Sequence, residues 1–278
     1  MLTLSNLSEH VEEIRRNREC VIYKPIGMTP LELVNECIRI CGFEKGSFSG
    51  RLDPMAHGAS MIVFDDKCRR GTDYHSLGKT YIFKFVVGIK TTSLDLLGFP
   101  TVGDASATSS TITPDSLRHF LEGIQAKGGY CQKLPDYCSF RVANADGLKQ
   151  PLWWWAIHNR LGEVSIPSIA RKMYRFEILS GGVGDDNISL GEISTMAIDR
   201  IGRITSPDNH FSQPEIMEAW RNISLYSENK RFKMFTVRVD VGSGFFIRSL
   251  VRDIGEAFGV DTMTLEIERV GYFTSCVV

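Results

Sequence analysis

The stretch SGRLDPMAHG, residues 49–58, says more about the fold than any other part of the chain. It places one carboxylate, Asp53, between two glycines and directly before a proline. Gly50 and Gly58 permit a positive φ or a close backbone approach, and Pro54 prevents a regular helix from running through Asp53. Such a loop can hold one acid in a fixed position. Taken alone the pattern is weak, because an aspartate before a proline is common in turns.

A helix is predicted shortly before this loop. Thr29-Pro30-Leu31-Glu32 forms a capping box with proline at the first helical position. Gly42 is predicted to end this helix. Apolar residues at helical spacing are predicted to form its buried face: Leu31, Val34, Ile38 and Cys41.

After the loop, strands and helices mix without a regular βαβ rhythm. Alternating apolar residues predict one strand from Tyr81 to Val87 and another from about Phe232 to Val241. Thr113-Pro114 predicts the start of a helix, and Gly242-Ser243-Gly244 turns the chain into a further helix from about Phe245 to Phe258. Because the long strands suit antiparallel pairing, we predict an α+β fold.

Composition points to an ordinary globular protein. Of the 278 residues 43% are apolar and 23% are charged, which argues against general disorder. Seven cysteines without a C-x-x-C pair favour free thiols in a reducing compartment over disulfides or zinc. No apolar run approaches the length of a membrane span, and the N-terminus lacks the features of a signal or transit peptide. We therefore expect a soluble, intracellular protein.

The net charge of −1 limits how a nucleic acid could bind, because phosphate contacts need local basic clusters. Basic residues are concentrated in three stretches: Lys67, Arg69 and Arg70; Arg171, Lys172 and Arg175; and Lys230, Arg231, Lys233, Arg238, Arg248 and Arg252. Composition alone favours solvated surfaces for these clusters.

The loop around Asp53 resembles the G-x-L-D-P-x-A-x-G motif of the TruB family of pseudouridine synthases, in which the aspartate is the nucleophile. Further segments resemble family motifs in the same order: Lys24–Met28, Lys79–Tyr81, Thr92–Gly98, Gln132–Arg141 and Ser243–Gly255. The similar segments extend roughly from Val21 to Thr274. Several ordered motifs at sensible spacing make the resemblance specific.

The resemblance implies the pseudouridine synthase fold, with a mixed, mainly antiparallel sheet and flanking helices. It implies one catalytic domain over residues 1–278 with a thumb-like insertion at about 143–174, and no C-terminal PUA domain. It also implies a monomer that acts on RNA, above all the T-arm of tRNA, without a metal or cofactor.

The same resemblance assigns three catalytic residues. Asp53 must be ionised to attack the ribose or the base, or to act as the initiating base, and the sequence does not choose among these. Arg248 is the matching cation, whose guanidinium can pair bidentately with the carboxylate. Tyr81 is expected to stack on the flipped uracil and to help move the C5 proton.

Substrate-binding positions also follow from the resemblance: Lys24, Phe48, Gly50, Arg51, Trp153, Arg171, Lys172, Phe246 and Ile247. Four residues depart from the family pattern. Arg51 replaces a small residue, Phe48 a histidine, Phe246 a tyrosine, and His57 a threonine. Packing is a better expectation for His57 than a role as catalytic base.

Trp153, Trp154 and Trp155 are consecutive and cannot all face one core. An irregular surface loop between 144 and 168, anchored by one or two of the rings, is as good an interpretation as direct RNA contact.

Three functions remain open on the sequence. The first is pseudouridine formation in the tRNA T-loop. The second is the same chemistry on rRNA or another structured RNA, and the third is a catalytically silent RNA-binding or assembly factor. Retention of Asp53, Tyr81 and Arg248 argues against the third, because a binder needs no ionised acid beside a flipped base.

Overall fold

The computed structural model of the chain describes residues 1–70, 74, 76–103, 112–181, 186–205, 211–225 and 228–274. The strands of this part are β1 Glu19–Lys24, β2 Gly46–Ser49, β3 Ala56–Phe64, β4 Gly78–Val87, β5 Ile89–Thr91, β6 Pro100–Val102, β7 Tyr130–Lys133, β8 Arg141–Ala143, β9 Lys149–Pro151, β10 Ser168–Arg171, β11 Met173–Gly181, β12 Asn187–Ser189, β13 Arg231–Val241 and β14 Thr262–Phe273. The α-helices are α1 Val11–Asn17, α2 Pro30–Cys41, α3 Pro114–Ala126, α4 Leu152–Ile157, α5 Leu190–Gly202, α6 Gln213–Leu225 and α7 Ile247–Phe258.

A central eight-stranded sheet organises the molecule, with strand order β1-β3-β14-β4-β13-β11 and with β2 on β3 and β12 on β13. Its described pairings are antiparallel, except that β14 runs parallel to β3. The predicted α+β fold with a mixed, mainly antiparallel sheet is therefore confirmed.

Helices cover both faces of the central sheet. Side chains of β4 alternate between the two cores that these helices form with the sheet. Phe83 and Phe85 pack with residues of α3 and α7. Val86 packs with α5 and α6, on the opposite face. A third core joins α1 and α2 to β1 and β3. None of the helices in the described ranges is both long and apolar enough to cross a membrane.

The helix predicted before the Asp53 loop is present, but its buried face differs from the prediction. Thr29 and Glu32 form the expected capping box, and Gly42 ends the helix in the left-handed conformation. Leu31 was expected in the core, yet its side chain is 62% exposed, whereas Leu33 and Cys37 are buried. Leu33 lies two residues beyond Leu31, about 200° around the helix, so both cannot share one face.

The stretch with three tryptophans is not an irregular loop. It contains the β8–β9 hairpin and the short helix α4. Trp155 is fully buried, and its Nε1 donates to the Gln150 carbonyl at 3.2 Å. Trp153 and Trp154 are partly exposed. One buried ring thus anchors the segment, in agreement with one of the two interpretations of the sequence, although the segment is a hairpin and a helix and not an irregular loop.

Candidate active site

Backbone contacts hold Asp53 in the loop between β2 and β3. Gly50 adopts a positive φ of 72°, which a residue with a Cβ would adopt only with strain. The Asp53 carbonyl accepts from the Ala56 amide at 3.0 Å, and the Pro54 carbonyl accepts from the Gly27 amide at 2.9 Å. The Asp53 side chain is therefore carried on a fixed backbone and remains 33% exposed.

Arg248, in the first turn of α7, contacts three segments that are distant in the sequence, one of which is the Asp53 loop. Its Nη1 donates to the Ser93 carbonyl at 2.7 Å, and its Nη2 donates to the Tyr137 carbonyl at 2.9 Å. Nη2 also lies 2.8 Å from Oδ2 of Asp53. The contact is thus made through one nitrogen rather than through the bidentate pair expected from the sequence, because Nη1 is committed to a backbone carbonyl.

Asp95 is a second acid at this guanidinium, and the sequence assigned it no role. Its Oδ2 lies 3.6 Å from Nε of Arg248, while its Oδ1 accepts from the Ser93 hydroxyl at 2.6 Å and from the Leu97 amide at 3.0 Å. Burial raises the pKa of the Asp95 carboxyl, and the positive charge of Arg248 opposes that shift. Burial alone would lower the pKa of Arg248, but Asp53 and Asp95 more than offset it, and the pKa is raised.

Two cavities meet at the Asp53–Arg248 contact. The first, about 390 Å³, contains Tyr81 and is called the Tyr81 cavity. The second, about 410 Å³, contains Trp153 and is called the Trp153 cavity. Their shared wall consists of Arg51, Leu52, Asp53, Ser139 and Arg248. The carboxylate thus stands at the border of two spaces, one with a tyrosine and one with a tryptophan.

Most of the residues predicted to bind substrate line these cavities. The Tyr81 cavity includes Phe48, Gly50, Arg51, Arg171, Phe246 and Ile247. Arg51 is exposed and lies over the Phe48 ring, with Cζ 5.4 Å from the ring centroid. Arg171 donates from Nε to the Gly244 carbonyl at 2.8 Å, at the turn before α7. Predicted catalytic and binding residues therefore lie around one space.

Two of the predicted binding residues line neither cavity. Lys24 is fully buried and donates to the carbonyls of Pro25 at 2.9 Å and Met28 at 2.6 Å. Burial lowers the pKa of Lys24 to about 7. Lys172 is exposed, with Nζ 5.1 Å from the Tyr174 ring centroid. This geometry suits Lys24 to supporting the segment that binds the Pro54 carbonyl, rather than to touching a substrate.

His57 also lies outside both cavity linings. Its Nδ1 is 2.9 Å from the Tyr23 hydroxyl, and its Nε2 is 3.9 Å from Oε1 of Glu266. The packing role expected for His57 agrees with these contacts.

Comparison with known proteins identifies the family. The family model described as TruB family pseudouridylate synthase (N terminal domain) matches residues 39–182, just over half of the chain. The chain belongs to the TruB family. It is 24% identical to the tRNA pseudouridine synthase B of Deinococcus radiodurans over 85% of this chain and 68% of the relative. It is 27% identical to that of Syntrophobacter fumaroxidans over 58% of this chain and 48% of the relative.

Solved structures share the fold at lower identity. The crystal structure of a Cbf5-Nop10-Gar1 complex contains a chain that is 18% identical, with a TM-score of 0.54, over 95% of this chain and 52% of that one. The structure of an H/ACA RNP bound to a substrate RNA contains another at 17% identity and a TM-score of 0.50. The chain spans about half of each of these proteins and 48% to 68% of the two TruB-family relatives above.

Proposed function

We propose that this protein isomerises a flipped-out uridine of the tRNA T-loop to pseudouridine. The observation that carries the proposal is the contact of Asp53 with the buried Arg248, at the wall of a cavity that also contains Tyr81. Family membership supports the chemistry. The name tRNA pseudouridine synthase B, which several relatives carry, supports tRNA as the substrate.

The electrostatics of the site suit a reaction that begins with an ionised carboxylate. Arg248 brings a permanent positive charge to within 2.8 Å of the Asp53 carboxylate. Isomerisation breaks the C1′–N1 bond of uridine and forms a C1′–C5 bond, with loss of the C5 proton and gain of one at N1. The uracil anion spreads its charge over two carbonyls, so one carboxylate suffices where glycosidases use two.

Aromatic residues supply the surface for the flipped base. Tyr81 is 6% exposed and reaches the Tyr81 cavity from β4, with Phe48 and Phe246 on other walls. A base removed from the RNA stack loses its stacking partners, and aromatic side chains replace them. We assign the uracil to this cavity, against Tyr81, with its ribose at Asp53.

Local basic and aromatic groups account for RNA binding by a chain with a net charge of −1. Arg51 and Arg171 line the Tyr81 cavity and can reach phosphates on either side of a flipped nucleotide. Trp153 offers a partly exposed ring in the neighbouring cavity.

Release of tritium from 5-³H-uridine in unmodified tRNA tests the proposal, with the wild type compared with Asp53→Asn. Asparagine keeps the shape of the side chain and removes the ionisable oxygen. We expect release by the wild type and none by the variant, and sequencing of the product then locates the uridine. Tight tRNA binding without release by the wild type would exclude tRNA as the substrate. Release from rRNA instead would retain the chemistry, and no release from any RNA would favour the silent RNA-binding factor.

A further inference from the structure

Arg269 of β14 is buried beneath the Asp53 loop, with 1% of its surface exposed. Its Nη1 donates to the Gly50 carbonyl at 2.9 Å, three residues before Asp53. Its Nε donates to the Ala59 carbonyl at 2.5 Å, and its Nη2 lies 3.3 Å from the Ser60 hydroxyl. One guanidinium therefore bridges the beginning of the loop and strand β3, which follows the loop.

We propose that Arg269 is a positioning residue, which sets the Asp53 loop against Tyr81. Arg269 is one of the residues that line the Tyr81 cavity, but its guanidinium nitrogens are directed at Gly50, Ala59 and Ser60, so we assign its effect to the backbone. Its effect on catalysis rests on the proposed function, whereas its effect on the loop does not.

The strand register places Arg269 between the two elements that it would align. In β14 it pairs with Gly58 of β3 on one side and with Tyr81 of β4 on the other. The pairing with β4 shifts register between Arg269 and Gly271, as in a β-bulge. A Cβ added at Gly58 would lie 2.3 Å from the Arg269 carbonyl oxygen, so the two backbones are in close contact. A displacement of Arg269 would alter both neighbours.

Tyr272 contacts the two strands that flank the same loop. Its hydroxyl lies 3.3 Å from the Ser49 carbonyl and accepts from the Met61 amide at 3.0 Å. Its ring centroid is 5.0 Å from Cζ of Arg269, within the range of a cation–π contact. Arg269 and Tyr272 thus form one cluster at the base of the loop.

The charge of Arg269 has no acidic partner at ion-pair distance among the described residues. Burying a cation is costly unless its donors are satisfied, and here the three nitrogens are directed at one oxygen of the loop and two of β3. Lys24 and Lys79 are buried nearby, and their pKa values are lowered by burial to about 7 and about 8. The donors of Arg269 are thus directed at the protein itself, as in a bridge between the loop and β3.

The test compares the wild type with Arg269→Gln and Arg269→Lys. Arg200→Gln serves as the control for loss of a buried cation, because Arg200 is also buried, at 9% exposure, and contacts the Leu265 carbonyl at 3.0 Å and Glu266 at 2.6 Å rather than Gly50. Amide hydrogen exchange of residues 50–59 measures the loop directly and needs no activity. Single-turnover pseudouridine formation and the Kd for tRNA measure the consequence.

We expect both Arg269 variants to exchange faster at residues 50–59 than the wild type does, while the rest of the sheet keeps its protection. The single-turnover rate should fall roughly 100-fold, with Kd changed less than about threefold, because a small displacement of the attacking group is enough for such a loss. Lysine keeps the charge but cannot bond both the loop and β3, so it should not restore the rate.

Unchanged exchange at residues 50–59 in Arg269→Gln would overturn the proposal, whatever the activity of the wild type. The proposal would also be overturned if Arg269→Lys showed the same exchange at residues 50–59 and the same single-turnover rate as the wild type. The proposal would also be overturned if residues 50–59 exchanged as fast in Arg200→Gln as in the Arg269 variants, because faster exchange would then reflect general destabilisation. A wild type without pseudouridine formation would refute the proposed function, while hydrogen exchange would still decide the role of Arg269 in the loop.

Discussion

Asp53 and Asp95 share the guanidinium of Arg248: Nη2 lies 2.8 Å from Oδ2 of Asp53, and Nε lies 3.6 Å from Oδ2 of Asp95. The two acids differ in exposure, because the side chain of Asp53 is 33% exposed and that of Asp95 is 8% exposed. Asp53 lines both cavities, whereas the nearly buried Asp95 lines only the Trp153 cavity. Asp53 is therefore the acid of this pair that borders the Tyr81 cavity.

Replacing Asp95 by asparagine is expected to lower both stability and rate. The buried Arg248 would lose one of its two carboxylates, and removing one partner of a buried ion pair typically costs about 3 to 5 kcal/mol. The single-turnover rate should fall at least about tenfold, because one of the two ion pairs that hold Arg248 is lost. Urea unfolding and single-turnover assays measure the two effects.

Asp199→Asn is the control for this substitution. Asp199 pairs with Arg203 on α5, and both side chains are more than half exposed. Surface pairs of this kind contribute about 0 to 1 kcal/mol, so the control should unfold close to the wild type. An Asp95→Asn variant as stable and as active as the wild type would show that Asp53 alone fixes Arg248.

Lys24 is expected to make stability rise with pH above neutrality. Burial lowers its pKa from 10.5 to about 7, so between these values the unfolded chain binds more protons than the folded one. Stability therefore increases from pH 7 toward pH 10, by at most about 1.4 kcal/mol per pH unit, and this contribution is constant below pH 7. Lys24→Met should flatten the curve of unfolding free energy between pH 7.5 and 9, whatever its absolute stability.

Lys127→Met is the matched control, because Lys127 is exposed at the end of α3 and should keep the wild-type slope. Part of the slope should persist in Lys24→Met, since burial also lowers the pKa of Lys79 to about 8. Identical slopes in Lys24→Met and the wild type would contradict the prediction.

Local signals in the sequence were sufficient for the main elements. The capping box at Thr29 and the alternation from Tyr81 to Val87 predict a helix and a strand that are present, because caps and apolar periodicity act within a few residues. The exposure of Leu31 shows the limit of such patterns. Near the start of this helix Leu31 and Leu33 are both apolar, and only tertiary packing determines which of the two side chains is buried.

Tertiary contacts account for what the sequence did not predict. Arg269 reaches Gly50 across 219 residues, and Arg248 reaches Ser93, beside Asp95, across 155. No local pattern relates such positions. The contact of Arg248 with Asp53 was expected only through the family resemblance, and Arg269 had no motif to mark it. Because β14 also contains Glu266 and Glu268, the presence of a charge in this strand does not single out Arg269.

Arg51 is expected to contribute to RNA binding through a phosphate. Its guanidinium lies on the wall between the two cavities, is exposed, and has no ion-pair partner among the described residues. Arg51→Gln should reduce the slope of log affinity against log salt concentration by about 0.7 to 0.9, the value for one phosphate contact. Filter binding of unmodified tRNA over a range of salt concentrations measures this slope.

Arg118→Gln removes the same charge from an exposed position on α3 that lines neither cavity. It should leave the slope unchanged. Equal slopes for Arg51→Gln and Arg118→Gln would show that Arg51 makes no phosphate contact.

Trp153 and Trp155 are neighbours in α4 with opposite environments, and their alanine variants are expected to separate binding from stability. Trp155 is fully buried, so Trp155→Ala should cost about 3 to 5 kcal/mol of unfolding free energy. Trp153 lines a cavity and is partly exposed, so Trp153→Ala should weaken tRNA binding roughly tenfold through lost stacking and change stability far less. Urea unfolding and binding assays on both variants give the comparison. If Trp153→Ala bound tRNA with the affinity of the wild type, no base would stack on Trp153, because loss of a stacked base would change the Kd. The ring would then only anchor α4.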